Sequence, residues 1–519
     1  MKESFLALAL LLTSMSFHAG AQSQYQHLYD NLPFEMPALS RPQFPDRSVS
    51  VTDFGAVGDG ATLCTDAFNK AMKELSAQGG GTLNVPEGVW LTGPIEFRSG
   101  VNLHLDRGAL ISFSTDKSLY PLNSVSYEGF QGYRCASPIY GENLDNIAIT
   151  GSGVIDGNGD AWRYVRRGKT NGDQWRHLIA QGGLVDNDTW YPSEQYKRGM
   201  DQRKGLGNQS DMTYEDALAI KDFFRPNMVK FVKCRNLLLE GVLFQNSPAW
   251  TLHPIMCENV IIDGVYVKNP VYSQNTDAMD IESCRNVIIT RTTLDVGDDA
   301  VCIKSGKDKV GRTRAIPSEN ILVDGCRVFE GHGGFVVGSE MSGGVRNIKV
   351  TNCEFIGTDV GLRFKSNRGR GGLVENIYID HINMLKISHE ALLFDLYYTA
   401  NGGPSTDVAA VNEGTPAFRN IFINGVKSAA SGIPVKFNGL PEMPIENISL
   451  TNTTMTSRQG GLLSESTHIR FDNVSISATQ GPALTINNVT DATITDCRFT
   501  SPATDPVLYT GTNKNVVIK

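Results

Sequence analysis

One short phrase recurs along most of this chain and constrains its fold more than any other feature. It is an asparagine followed by an apolar, a variable and an apolar residue. It stands as Asn146-Ile-Ala-Ile, Asn236-Leu-Leu-Leu, Asn259-Val-Ile-Ile, Asn286-Val-Ile-Ile and Asn320-Ile-Leu-Val. It continues as Asn347-Ile-Lys-Val, Asn376-Ile-Tyr-Ile, Asn420-Ile-Phe-Ile and Asn447-Ile-Ser-Leu, and a last copy, Asn515-Val-Val-Ile, ends the chain. Adjacent copies often lie 23 to 29 residues apart. Longer gaps, such as 376 to 420, need an inserted loop or a copy hidden from this pattern.

The variable position holds Ala, Leu, Ile, Lys, Tyr, Phe and Ser while its neighbours stay aliphatic. That is period-two alternation with two residues facing a core, and the segments are too short for helices. Self-similarity at a fixed period signals stacked coils, none able to bury its apolar face alone. The leading asparagine suits a turn, because it tolerates the left-handed region and bonds nearby backbone. Stacked in register, such asparagines can bond one another along the axis. A β-propeller is also periodic, but its repeats run to roughly 40–50 residues. The expected fold is therefore all-β, a single-stranded parallel β-helix.

By length alone, 519 residues would suggest roughly two to four domains, but a solenoid escapes that count. Its ends need caps. Residues 65–77 read as an amphipathic helix with Ala67, Phe68, Ala71, Met72 and Leu75 on one stripe, placed over the N-terminal end of the stack. Residues 159–224 break the pattern with Trp162, Trp175, Trp190, Tyr191 and short helical pieces, and read as inserted loops near the cleft.

The first 21 residues read as an export signal: Lys2, an apolar run from Phe5 to Leu12, then Ala19-Gly-Ala21. The mature chain, residues 22–519, is then expected outside the cytoplasm, secreted or periplasmic. The run is too short to span a bilayer. Nine cysteines, an odd number with no CxxC pair, read as small buried hydrophobes rather than metal ligands.

Four short motifs lie on successive coils: Asn275-Thr-Asp277, Gly297-Asp-Asp299, Gly331-His-Gly333 and Arg363-Phe-Lys365. Asn275 and Asp277 share a side of a strand, as do Arg363 and Lys365. Asp298 and Asp299 are adjacent, so a bulge at Gly297 is expected to redirect one of them. Three crowded carboxylates raise the pKa of at least one. Glycoside hydrolysis needs that pair of states, an acid for the leaving oxygen and a carboxylate for water or attack.

In this order the four motifs resemble those of glycoside hydrolase family 28, the polygalacturonases. The opening Val51-Thr-Asp-Phe-Gly-Ala-Val-Gly-Asp-Gly60 is similar to that of pectin-degrading β-helix enzymes. The resemblance runs from about residue 48 to at least 450. It implies a right-handed parallel β-helix, no cofactor or metal, and hydrolysis of α-1,4-linked galacturonate with inversion. By motif, Asp298 is the general acid, Asp277 and Asp299 hold and deprotonate the water, and His332 keeps the acid's protonation state. Asn275, Arg363 and Lys365 bind substrate, the last two gripping a sugar carboxylate. That local patch lets a chain of net charge −8 take an acidic polysaccharide as its partner. No nucleic acid or membrane partner is expected, and the chain is expected to be a monomer. Family members often carry glycine after Asn-Thr-Asp, where this chain has Ala278.

Arg225-Pro226, residues 245–254, Gly338-Ser-Glu-Met-Ser-Gly-Gly344 and Gly439-Leu-Pro-Glu-Met443 resemble the exo-acting branch. The inserted loops are expected to wall the groove there. The alternatives are a rhamnogalacturonan-directed relative, a pectate-lyase-like eliminase, and a non-catalytic binding β-helix.

Overall fold

The computed structural model describes residues 24–127, 130–202, 212–399, 403 and 407–519. The expected export signal over residues 1–21 lies outside them.

The chain winds into a parallel β-helix whose strands form three columns. The repeated phrase makes the first column. Arg235–Glu240 pairs in parallel with Glu258–Asp263, which pairs with Arg285–Thr290, which pairs with Ser318–Asp324. Short strands such as Leu243–Gln245, Tyr266–Lys268 and Thr293–Asp295 make the second. The third carries the candidate site. The helix Thr65–Ala77 closes the N-terminal end with Ala67, Phe68, Ala71, Met72 and Leu75 buried against the first coils.

The asparagines behave as their chemistry dictates. From Asn146 to Asn447 each has a positive φ, between 51° and 58°. Each side-chain amide donates to the carbonyl of the preceding asparagine. Asn259 bonds Asn236 at 3.1 Å, Asn286 bonds Asn259 at 3.1 Å and Asn320 bonds Asn286 at 3.2 Å. The long gap after Asn376 contains no hidden coil, since Leu373–Asp380 pairs directly with Ala417–Asn424. Two coils beyond Asn447 do escape the phrase. Their turns carry His468 and Asp491, at φ 55° and 56°, ahead of the buried pairs Ile469/Phe471 and Ala492/Ile494. Asn515 then bonds Asp491 at 2.7 Å.

The variable position of the phrase has its own use. Ala148, Leu238, Ile261, Ile288 and Leu322 face away from the core and are buried under Tyr25, Leu28 and Leu39 of the leading segment. Further along, Lys349 at this position donates to the Asp30 carbonyl at 3.1 Å, and Tyr378 meets Phe34 with ring centroids 6.2 Å apart. All nine thiols are free, eight of them buried. No helix among the described residues is long and apolar enough to cross a membrane.

Six strands of the third column frame the site: β1 (Leu252–Ile255), β2 (Met279–Glu282), β3 (Asp299–Lys304), β4 (Gly333–Val337), β5 (Val360–Lys365) and β6 (Glu390–Asp395). Alternate residues enter the core, where Phe364 stacks on Phe394 at 4.5 Å and Phe394 meets Phe437 edge-on at 4.8 Å. The other alternates form rows on the outer face. Asp280, Cys302, Val336 and Arg363 stand in register, and Glu282 stands beside Lys304.

Among the described residues, 159–224 leave the coils as three short α-helices, Gly172–Ala180, Glu194–Gln202 and Tyr214–Ala219, and a small antiparallel sheet. Val165, Trp175, Leu178 and Trp190 form a separate apolar cluster, and Tyr272 packs on it. Tyr272 belongs to the loop that carries Asn275, so the insertion is braced against the candidate site.

Candidate active site

The structure gathers the seven residues singled out in the sequence on β2 to β5 and the turns that lead into them. Asp277 lies just before β2, Asp298 just before β3 and His332 just before β4, while Asp299 opens β3. Arg363 and Lys365 lie on β5. One oxygen from each of Asp277, Asp298 and Asp299 lies within 4.8 Å of the others. Asp298 needs no bulge to turn towards the group, because it precedes the strand.

The motif glycines are steric requirements. A side chain at Gly297 would sit 2.3 Å from the Ser273 carbonyl oxygen. Gly331 has φ 105°, and a Cβ there would meet the Asp298 carbonyl oxygen at 2.7 Å. Each glycine lets one coil's turn close onto the next at the height of the carboxylates.

Asp298 is held from three sides. The backbone N–H of Asn275 donates to one oxygen at 3.1 Å, and its neighbour Asp299 donates a backbone N–H to the other at 3.0 Å. His332 Nδ1 stands 3.2 Å from that second oxygen. Asp299 receives Lys365 at 2.7 Å on one oxygen and Arg363 at 3.0 Å on the other. The Asn275 side chain accepts from Arg225 at 2.9 Å. One oxygen of Asp277 is buried without a hydrogen-bond partner among the described residues. Such an orphan suits a group that makes its bond to a water or a sugar hydroxyl during reaction.

Environment pulls the three acids apart. Burial, and next the charges of Asp280 and Asp298, push the Asp277 carboxyl well above its ordinary range. Burial works the same way on Asp299, but Lys365 and Arg363 outweigh it and hold Asp299 ionised far into acid. At Asp298 burial is outweighed by the His332 hydrogen bond, which holds the carboxyl below its ordinary value. His332 is correspondingly raised, first by its bond to Asp298. The proton that the sequence reading gave to Asp298 is thus held by the His332–Asp298 couple, mainly on the imidazole.

Several participants carried no signal in the motifs. Lys304, 4% exposed, places its ammonium 2.9 Å from Asp280, 3.8 Å from Asp277 and 3.9 Å from Glu340. The same ammonium lies 3.5 Å above the Trp250 ring. Burial pushes Asp280 up to about 7 even beside this cation. Lys304 lies outside the four motifs; only the stacking shows that three acids cover it. Tyr398 is the other omission. Its ring lies 4.9 Å from the Lys365 ammonium and 5.5 Å from the Arg363 guanidinium. Of the segments expected to mark the exo-acting branch, residues 338–344 bring Glu340 beside Lys304, and residues 439–443 carry Glu442, bonded by Arg368 at 2.6 and 2.9 Å.

A family model described as Glycosyl hydrolases family 28 matches residues 220–479, which hold every one of these motifs. The chain is 35% identical to an exopolygalacturonase of known structure from Thermotoga maritima, with a TM-score of 0.72 over 84% of this chain and 93% of that one. It is 28% identical to a probable polygalacturonase from Vitis vinifera, over 79% of this chain and 74% of the relative. It is 26% identical to an exo-poly-alpha-D-galacturonosidase from Dickeya chrysanthemi, over 68% and 58%.

Proposed function

Because the chain belongs to glycosyl hydrolases family 28 and is a glycoside hydrolase, we propose that it cleaves the α-1,4-galacturonosyl bonds of pectin with inversion, releasing galacturonate from chain ends. The observation that carries this reading is the meeting of three carboxylates with Arg363 and Lys365 in one cleft. A galacturonate carboxylate entering the cleft finds a guanidinium fork and an ammonium already aimed at an anion. Every group needed comes from one chain, so the reaction calls for no second copy.

In the proposed step Asp298 donates a proton to the glycosidic oxygen as its bond to the anomeric carbon breaks. Asp299 takes a proton from water, whose oxygen forms the new bond on the opposite face. Asp277 holds that water through its otherwise unpartnered oxygen. Sugar filling the cleft excludes water from the His332–Asp298 couple and disfavours an ion pair there. The proton then moves from imidazolium to carboxyl, where the leaving oxygen needs it. Asn275 acts through its backbone donor to Asp298 and through Arg225.

Two observations support exo-action. The insertion packs on the loop that carries Asn275, and similar chains include exo-acting enzymes. The leading segment, with Lys2 and Phe5 to Leu12, supports export. Size-resolved products of polygalacturonate, followed from the first turnovers, test the reading. Monomer alone at the earliest times is expected. A ladder of intermediate oligomers overturns exo-action, and no product at all overturns the galacturonan substrate.

A further inference from the structure

A second cavity opens on the same column, N-terminal to the catalytic groove. Its floor is the strand Val229–Val232, which pairs with β1 so that Lys230 lies beside His253. At about 4.8 Å per strand, Lys230 stands roughly 10 Å from the row of Asp280. The cavity measures about 390 Å³, within the range of small-molecule sites. One wall is the antiparallel hairpin of Leu122–Tyr127 and Phe130–Cys135, through Asn123 and Arg134. None of the catalytic aspartates, His332, Arg363 or Lys365 lines it.

Its lining has the chemistry of an anion site. Lys230 and Arg134 both reach the cavity. Arg134 is anchored, donating to the Arg225 carbonyl at 3.1 Å. Burial disfavours the Lys230 charge, and no carboxylate among the described residues pairs with it. Glu96 is the one acid on the wall among the described residues, and Arg98 pairs with it at 2.5 Å.

A second, independent observation adds a hydroxyl. Asn227 lines the cavity, is 5% exposed, and has a buried carbonyl oxygen with no hydrogen-bond partner among the described residues. Its orientation is fixed by its neighbours. His253 Nε2 faces the Glu282 carboxylate at 2.9 Å, and burial favours the neutral ring. Nε2 therefore carries the hydrogen and Nδ1 accepts. Asn227 must donate its NH2 to Nδ1, at 2.9 Å, which leaves its oxygen without a donor among the described residues.

We propose that this cavity is a second binding site for a uronate, separate from the sugar being cleaved, with the carboxylate on Lys230 and Arg134 and one hydroxyl donating to Asn227. The choice of galacturonate as the uronate rests on the galacturonan reading above. The anion site rests on its own lining.

Calorimetric titration of the full chain with D-galacturonate, and with D-galactose as the neutral control, tests the proposal. The wild type should show two galacturonate sites and no comparable site for galactose. Lys230→Met should lose one site or weaken it by about tenfold or more, with an unchanged circular-dichroism melt. Lys230→Arg should keep it, and Lys365→Met should retain the Lys230-dependent site while weakening the other. Titration of a folded Lys230→Met indistinguishable from the wild type overturns the proposal, as does galactose binding as well as galacturonate. Failure of the wild type to hydrolyse polygalacturonate, with Lys230-dependent binding intact, overturns the galacturonan reading alone.

Discussion

His332 Nδ1 lies 3.2 Å from the Asp298 oxygen that also receives the Asp299 backbone N–H. The two side chains form a couple that holds one proton, and under the proposed mechanism that couple sets the alkaline limb of activity. Its imidazole is raised above the ordinary 6.5, so the required proton is present below that raised value and lost as pH rises through it. The proposed base is opposite in sign: Asp299 is depressed, ionised above its lowered pKa, and stays available as pH falls below the ordinary carboxylate range. kcat/KM against pH should therefore have an alkaline limb above 6.5 and an acid limb below the ordinary aspartate value of about 3.9. In His332→Gln the proton must sit on Asp298 alone, and the alkaline limb should move to lower pH. An unmoved limb would assign it elsewhere.

Lys304 should matter first to stability. Its ammonium is buried among Asp280, Asp277 and Glu340, and removing one partner of a buried ion pair costs about 3–5 kcal/mol. Lys304→Met should lower unfolding stability by that order, measured by urea titration. Adding Asp280→Asn should recover part of the loss, since it removes the charge left behind. Purely additive losses would mean the pair is not coupled.

Tyr398 should matter to binding. Its ring faces Arg363 and Lys365, the two cations expected to meet the sugar carboxylate. A cation–π contact contributes on the order of 1 kcal/mol, so Tyr398→Ala should raise KM roughly fivefold with little change in kcat. Tyr398→Phe keeps the ring and should stay near wild type. Equal losses in both would point to the hydroxyl.

Asn286 tests the ladder. It sits at φ 58° and bonds both Asn259 and Asn320. Alanine loses both bonds and strains the left-handed backbone, so Asn286→Ala should cost about 2 kcal/mol or more. Asn286→Gly restores the backbone freedom without the bonds and should fall between, by the same urea titration.

The ladder was legible because each asparagine meets one local demand, a left-handed turn, that only a few residue types satisfy. The coils at His468 and Asp491 were not, because other polar residues meet that demand without repeating the letter. The four motifs were legible for a similar reason: Gly297 and Gly331 are forced by contacts at 2.3 and 2.7 Å, which fixes them beside the acids. Lys304 and Asp280 were hidden because period-two alternation marks them only as facing away from the core. That face is covered here by Trp250 and Glu340, which arrive from other coils. The cover over Leu238, Ile261 and Ile288 was hidden likewise, since the leading segment that supplies it lies over two hundred positions earlier.

The most direct test is the initial rate of reducing-sugar release from polygalacturonate by Asp298→Asn beside the wild type. The change is nearly isosteric, and the amide oxygen can still accept one of the Asn275 and Asp299 backbone donors, which bond different oxygens of Asp298. Loss of a general acid lowers kcat by about 100-fold or more, and that drop, with the circular-dichroism spectrum of the folded chain retained, is the expected result. An Asp298→Asn chain that hydrolyses within a few-fold of the wild-type rate would contradict the assignment of this cleft as the catalytic centre.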